Sequence, residues 1–317
     1  MRSKLFILSL LVLPVLTRAE APQGPVERPY KSVVYKHEKL TTHSTDKEGK
    51  PVEWPQEIFA AFVDLTDPNV RVRVSRGGAD PDGPGEWQTS LMPPTKVAER
   101  EGFDIVVNGD FFSAFKTVDA EGEAALKQFT GGRPAKVTGP AVTDGEKWGP
   151  AEKARAAFMI DAKGKPSIMA VKDPPSDVQQ VIAGSDVIVQ NGQNVAPPSD
   201  KPGFARGPHP RTAVGIRDDG KTLVLVVIDG RKKGVAVGMS LKETAEVMLK
   251  YGCSDAVNLD GGGSSMLGIR DPKTGKVEVK NHPSDGRERS VANVLGVSVT
   301  ARNKRQTSAP QTNPKPD

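Results

Sequence analysis

RTAVGIRDDGKTLVLVVIDGRKKGVAVGMSLKETAEVMLKYGCSDAVNLDGGGSS, residues 211–265, holds the plainest structural signals in the chain. Thr212–Ile216 and Leu223–Ile228 are apolar runs on either side of Asp218-Asp219-Gly220, the pattern of two strands joined by a turn. Ser240–Tyr251 puts Leu241, Ala245, Met248 and Leu249 on one face of a helix. Ser240 with Glu243 three residues on forms a capping box, and Gly252 suits the helix end. Ala256–Leu259 is a short strand that runs into a Gly-rich turn, Asp260–Ser265. Two strands, a helix and a strand in succession break the alternation that a doubly wound sheet needs. The expectation is an α+β fold: mixed β-sheets with flanking helices in one compact domain.

Upstream, Ile58–Leu65 and Val70–Ser75 read as strands joined through Asp67-Pro68-Asn69. The second alternates Val70, Val72 and Val74 with Arg71 and Arg73, which predicts one wet face. Gly77–Gly85 is a loop. Pro93–Glu101 reads as a helix with proline in its first turn. Asp104–Val107 is a buried-type strand, and Ala156–Ile160 with Ser167–Ala170 makes a hairpin about Lys163-Gly164-Lys165. Val187–Gln190 is a strand, Asn194–Pro210 has no periodicity, and Ser290–Thr300 holds the last strand.

The charge lies at the ends. The chain has 317 residues and a formal charge of +5, from 44 Lys+Arg and 39 Asp+Glu. Residues 1–21 and 302–317 together hold seven basic and two acidic side chains, which leaves the body balanced at 37 of each. A nucleic-acid partner would need a basic face on the body, and none is indicated. At 36% hydrophobic the chain can bury a core, so full disorder is excluded.

Arg2 and Lys4 followed by the apolar run Leu5–Leu16 and small residues read as a signal peptide over 1–21. A Pro-rich leader at 22–29, a folded domain at 30–301 and a basic, disordered tail at 302–317 complete the division. Secretion or delivery to a periplasm follows, with no stable membrane insertion after cleavage. Cys253 is the only cysteine, so there is neither an internal disulfide nor a lipid-bearing cysteine after the apolar run. It reads as a packing residue.

Five segments could carry chemistry. In Asn258–Ser265, Gly261, Gly262 and Gly263 offer backbone N–H groups to an anion, Ser264 and Ser265 add hydroxyls, and Asp260 sets a carboxylate at the rim. A tight structural turn is the alternative. Arg211, delivered by a long loop, offers a planar fork of donors suited to phosphate. Asp229 follows a buried-type strand, as a turn residue or a site carboxylate. Asn108, in Asn108-Gly109-Asp110-Phe111-Phe112, is either a sugar-facing corner or a turn. Arg289 lies in a charged segment before the last strand. His37, His43, His209 and His282 are scattered without the close pairs of a zinc site, so no metal and no cofactor is expected. A divalent cation such as Ca2+ is compatible with the carboxylates but not implied.

Together these segments resemble the phosphodiester glycosidase family, in its bacterial form. The carriers are NGDFF at 108–112, HPRTAVG at 209–215, VVIDGR at 226–231, GMSLKETAEVMLKYG at 238–252, AVNLDGGGSSM at 256–266 and RSVANVLGV at 289–297. The resemblance implies one α+β domain with one cleft, and cleavage between a sugar's anomeric carbon and a phosphodiester. This chain has Asp110 where the family often has glycine. Arg231 stands at a variable position, which ranks it below Arg211. Phosphate leaves readily, so the chemistry needs anion binding and one carboxylate, here Asp260 or Asp229. The expected partner is a sugar phosphodiester or glycan. The alternatives are a non-catalytic glycan-binding or polysaccharide-assembly module and a metal-dependent phosphodiesterase.

Overall fold

The computed structural model describes residues 26–45, 50–115, 129–197, 205 and 207–299. The signal peptide at 1–21 and the tail at 302–317 lie outside them. Strand accounts for 47% of the structure and helix for 9%. The helices Pro94–Glu101 and Leu241–Lys250 sit where the sequence places them, but sheets make the fold.

The largest sheet has eight strands, in the order Val26–Tyr30, Val33–Thr45, Pro51–Asp64, Thr222–Ile228, Arg211–Arg217, Asp255–Asn258, Asp186–Gln190 and Gln193–Asn194. A second, five-stranded sheet runs Val277–Val279, Leu267–Arg270, Ile105–Asn108, Asn293–Ser298 and Arg71–Arg76. A third centres on Val178–Ala183, Arg155–Asp161 and Pro166–Val171, and a small one on Pro134–Val137. Every strand pairing in these sheets is antiparallel. The mixed sheets expected from the sequence are therefore antiparallel ones. About half of the pairings join consecutive strands through a turn or loop, a connection open only to antiparallel neighbours.

Two details differ from the sequence reading. Val26–Tyr30 pairs with Val33–Thr45, so the folded body begins inside the segment read as a leader. Ile58–Leu65 is the end of a longer strand, Pro51–Asp64, and its successor Arg71–Arg76 joins a different sheet.

The large sheet is covered on both faces. On one, Phe59, Ala61, Val63, Leu223, Leu225 and Val227 meet Ile105, Val107, Leu267, Leu295 and Phe158 of the other sheets. On the other, Ile58, Ala60, Val224, Val226 and Ile228 meet Leu241, Ala245 and Met248 of the second helix. This explains why 58–63 and 223–228 read as unbroken apolar runs: each residue has a buried face to fill. Cys253 is buried in the second cluster, and burial pushes its thiol up to about 12. The capping box forms as read, with Ser240 Oγ accepting from Glu243 N at 3.2 Å and Ser240 N donating to Glu243 Oε2 at 2.8 Å.

Candidate active site

Strand ends from the two main sheets converge on residues 258–266. Asn108, at the end of Ile105–Asn108, is fully buried and ties the sheets together. Its Nδ2 donates to the Asp260 carbonyl at 2.7 Å. Its Oδ1 accepts from Thr212 Oγ1 at 2.7 Å and from Met266 N at 3.1 Å. Asp260 N donates back to the Gly109 carbonyl at 2.9 Å. Asn108 is thus a brace beneath the turn.

Several N–H groups of the turn have partners within the protein. Gly261 N donates to Asp260 Oδ1, Gly262 N to the Pro210 carbonyl, Ser264 N to Gly261 and Ser265 N to Gly262. Those donors are engaged inside the protein. What the glycines supply is close approach. A Cβ on Gly262, whose φ is +61°, would stand 3.1 Å from both terminal nitrogens of Arg231 and 3.4 Å from its central carbon. The two terminal nitrogens of Arg231 therefore sit directly against Gly262, where a side chain would crowd them. A Cβ on Gly263 would overlap Arg289 Nη2 and both carboxyl oxygens of Asp285. The consecutive glycines form a floor on which two arginines rest.

Arg211, ranked first among the arginines by sequence, is fully buried. Its Nε donates to the Met239 carbonyl at 2.7 Å and its Nη2 to the Gly207 carbonyl at 2.9 Å. Burial lowers its pKa to about 10. It holds the 207–210 loop, whose Pro210 carbonyl receives Gly262 N, and so supports the turn from behind. Arg231 is exposed and Arg289 partly exposed. Arg231 Nη2 lies 3.4 Å from His209 Nδ1. Burial, with Arg211 and Arg231 nearby, lowers the His209 pKa and keeps that ring neutral. Arg289 is steadied by two bonds to Asp285 Oδ2, at 2.9 and 2.7 Å, and by the Phe129 ring 4.3 Å away. Arg211 is thus enclosed, whereas Arg231 and Arg289 reach the surface beside the glycine turn.

Burial raises the Asp260 pKa to about 6; Ser264, Arg289, the Gly261 N–H and Arg231 all oppose the shift. Asp110 lies close behind. Burial lifts it to about 7, and the charge of Asp260 adds to the rise. Its Oδ2 accepts from Thr138 N at 3.1 Å and Gly139 N at 2.7 Å. Asp110 Oδ1, Ser265 Oγ, Ser284 Oγ and Asn293 Nδ2 are buried without a hydrogen-bond partner among the described residues.

Asp229 belongs to a neighbouring cluster. It is 2% exposed and accepts from Asn281 Nδ2 at 3.0 Å, from His282 N at 2.9 Å and from His282 Nδ1 at 3.0 Å. Burial raises its pKa; Asn281 and His282 offset the rise. Glu57, not singled out from the sequence, completes this group with His37 and His282. Asn281 Nδ2 also donates to the Ser265 carbonyl at 3.1 Å, so the cluster sits behind the wall of the glycine turn.

The profile of the family described as phosphodiester glycosidase matches residues 101–298. The uncharacterized SPbeta prophage-derived protein YomE of Bacillus subtilis is 41% identical over 90 residues, which are 28% of this chain and 13% of that protein. Among solved structures, the catalytic domain of zebrafish N-acetylglucosamine-1-phosphodiester alpha-N-acetylglucosaminidase, auto-inhibited by its pro-peptide, is similar at a TM-score of 0.56. It shows 20% identity, and the match covers 83% of each chain. A Burkholderia pseudomallei protein is similar at a TM-score of 0.56 and 16% identity, over 90% of this chain and 99% of that one. The two structures share the fold, and the profile spans the strands and turns that build the cleft. The chain belongs to the phosphodiester glycosidase family.

Proposed function

We propose that this chain is an exported hydrolase that cleaves the bond between the anomeric carbon and the phosphate of a sugar 1-phosphodiester. The carrying observation is Asp260, beside two arginines laid on Gly262 and Gly263. Arg231 and Arg289 hold the phosphodiester and stabilise the charge that grows on it as it leaves. Asp260 takes a proton from the water that adds to the anomeric carbon. A carboxylate that titrates near 6 suits that work at neutral pH. The C1–O bond breaks, the phosphate departs as an anion, and the water oxygen stays with the sugar. Asn108 and Arg211 hold the turn in place. Export rests on the apolar run Leu5–Leu16 with its basic start. Among the described residues no helix is long and apolar enough to cross a membrane.

The test is a screen of p-nitrophenyl- and UDP-linked sugar phosphodiesters with the released sugar identified. Asp260→Asn, nearly the same shape, is expected to keep the fold and lose roughly 10²–10⁴-fold in turnover. The wild-type kcat/KM should fall on acidification through about 6, where Asp260 becomes protonated. Wild-type turnover in Asp260→Asn would remove Asp260 from the chemistry.

A further inference from the structure

We propose that Glu57, Asp229 and His282 form a binding site for a divalent transition-metal ion such as Zn2+, a site that does not rest on the hydrolase reading. The three residues lie far apart in sequence and meet at one end of the large sheet. Glu57 lies within Pro51–Asp64 and Asp229 directly after Thr222–Ile228, neighbouring strands in which Ile58 and Ile228 are register partners. His282 enters from the segment after Val277–Val279.

The spacing fits a metal. His282 Nδ1 stands 3.0 Å from Asp229 Oδ2 and 3.5 Å from Glu57 Oε2. One nitrogen and two carboxylate oxygens lie within 4.8 Å of one another. A tetrahedral zinc ion with ligands at about 2.0–2.1 Å sets neighbouring ligand atoms about 3.3 Å apart. The protein around the group is organised as metal sites require. Glu57 Oε1 is held by Lys39 Nζ at 2.9 Å and Oε2 by His37 Nε2 at 3.2 Å. Asn281 fixes Asp229, and Phe59 packs edge-on against the His282 ring and flat against His37. Residues of this outer kind orient ligands.

Burial supplies the electrostatic reason. The Glu57 and Asp229 side chains are 4% and 2% exposed, yet Lys39, the lysine on Glu57, is 70% exposed, and no lysine is paired with Asp229 among the described residues. Two converging carboxylates in such a site favour a bound cation. Access exists as well: a cavity of ~390 Å³ lined by Lys39, Leu40, Gln56, Glu57 and Val235 opens beside the group. In the bound form the metal takes the position of the proton on His282 Nδ1, and the neutral ring carries its proton on Nε2. Asn281 links Asp229 to the Ser265 carbonyl, and Arg231 lies two residues beyond Asp229, so occupancy would stiffen one wall of the cleft.

The experiment is calorimetric titration of chelator-treated full-length protein with ZnCl2, with MnCl2 and CaCl2 in parallel. Expected is uptake of one Zn2+ per chain, weakened at least tenfold by His282→Gln and by Glu57→Gln. His43→Gln, at a histidine outside the group, should leave it unchanged. Thermal denaturation of each metal-free variant reports folding. A variant that does not fold is replaced by zinc-edge X-ray absorption of the wild type, where nitrogen and oxygen neighbours near 2.0 Å are expected. Absence of stoichiometric Zn2+ or Mn2+ uptake, wild-type affinity in both variants, or a preference for Ca2+ would overturn the assignment.

Discussion

Gly263→Ala separates the two accounts of the glycine turn. If the glycines exist to present N–H groups, one methyl group at this position changes little, because Gly263 does not have positive φ and alanine fits its backbone. If they exist to seat arginines, the methyl falls closer than 3.0 Å to Arg289 Nη2 and to both Asp285 carboxyl oxygens. Those atoms are the free ends of side chains, so the pair moves aside and the fold survives. Alanine also restricts the unfolded chain, worth roughly 0.5 kcal/mol in the other direction, so net stability should stay within about 1 kcal/mol of wild type. The loss appears in catalysis. A displaced Arg289 forfeits a hydrogen bond between charged groups worth about 1.5–3 kcal/mol, or roughly 10–150-fold in kcat/KM. The assay is kcat/KM on the sugar phosphodiester identified by screening, alongside urea denaturation. The double variant Gly263→Ala/Arg289→Ala should be no worse than Arg289→Ala alone, because both act through one guanidinium. Full activity in Gly263→Ala, or losses that multiply in the double variant, would refute the reasoning.

Other consequences are equally direct. Arg211→Met should lower stability by about 2–4 kcal/mol in urea, since the Gly207 carbonyl loses its arginine donor and the Met239 carbonyl keeps only His209 N. Arg231→Ala should leave the unfolding midpoint nearly unchanged and cut kcat/KM; the opposite pattern would restore Arg211 to the cleft. Asp110 has a folded pKa of about 7 against an ordinary 3.8, so its contribution to stability is present below the lower value and lost as pH rises towards the higher. Asp110→Asn, which cannot ionise, should therefore gain on wild type between pH 5 and pH 8, and a pH-independent difference in denaturation would contradict this. Ser240→Ala removes the capping box and should cost about 1 kcal/mol by the same method.

The elements that could be read from sequence are those whose signals are local. The helix Leu241–Lys250 carries its own cap and apolar stripe, and the pair about Asp218-Asp219-Gly220 carries its own turn. Val33–Thr45 was hidden because Lys36 and Glu38 interrupt its apolar residues, although both are buried. Glu38 is buried against Lys250 from the distant helix, at 2.9 Å, a partner that sequence proximity does not show. The site divides along the same line. Asp260 and the three glycines announced themselves, because such a run at a strand end has no packing use. The roles of the arginines did not, because burial separates Arg211 from Arg231 and burial is a property of the assembled sheets. His37 and His282 looked scattered for the same reason: register in the large sheet brings His37 to Glu57, and His282 arrives from the segment after a strand of the second sheet.

The central claim is that the bond broken lies between carbon and oxygen, at a carboxylate flanked by two arginines. Hydrolysis of a sugar 1-phosphodiester in H2(18)O, followed by phosphorus NMR of the product, tests it most directly. The account predicts free sugar and a phosphate product without isotope shift, because water adds to carbon. An (18)O-shifted phosphate together with sugar 1-phosphate would mean that water attacks phosphorus. That result would contradict the account and point to a phosphodiesterase instead.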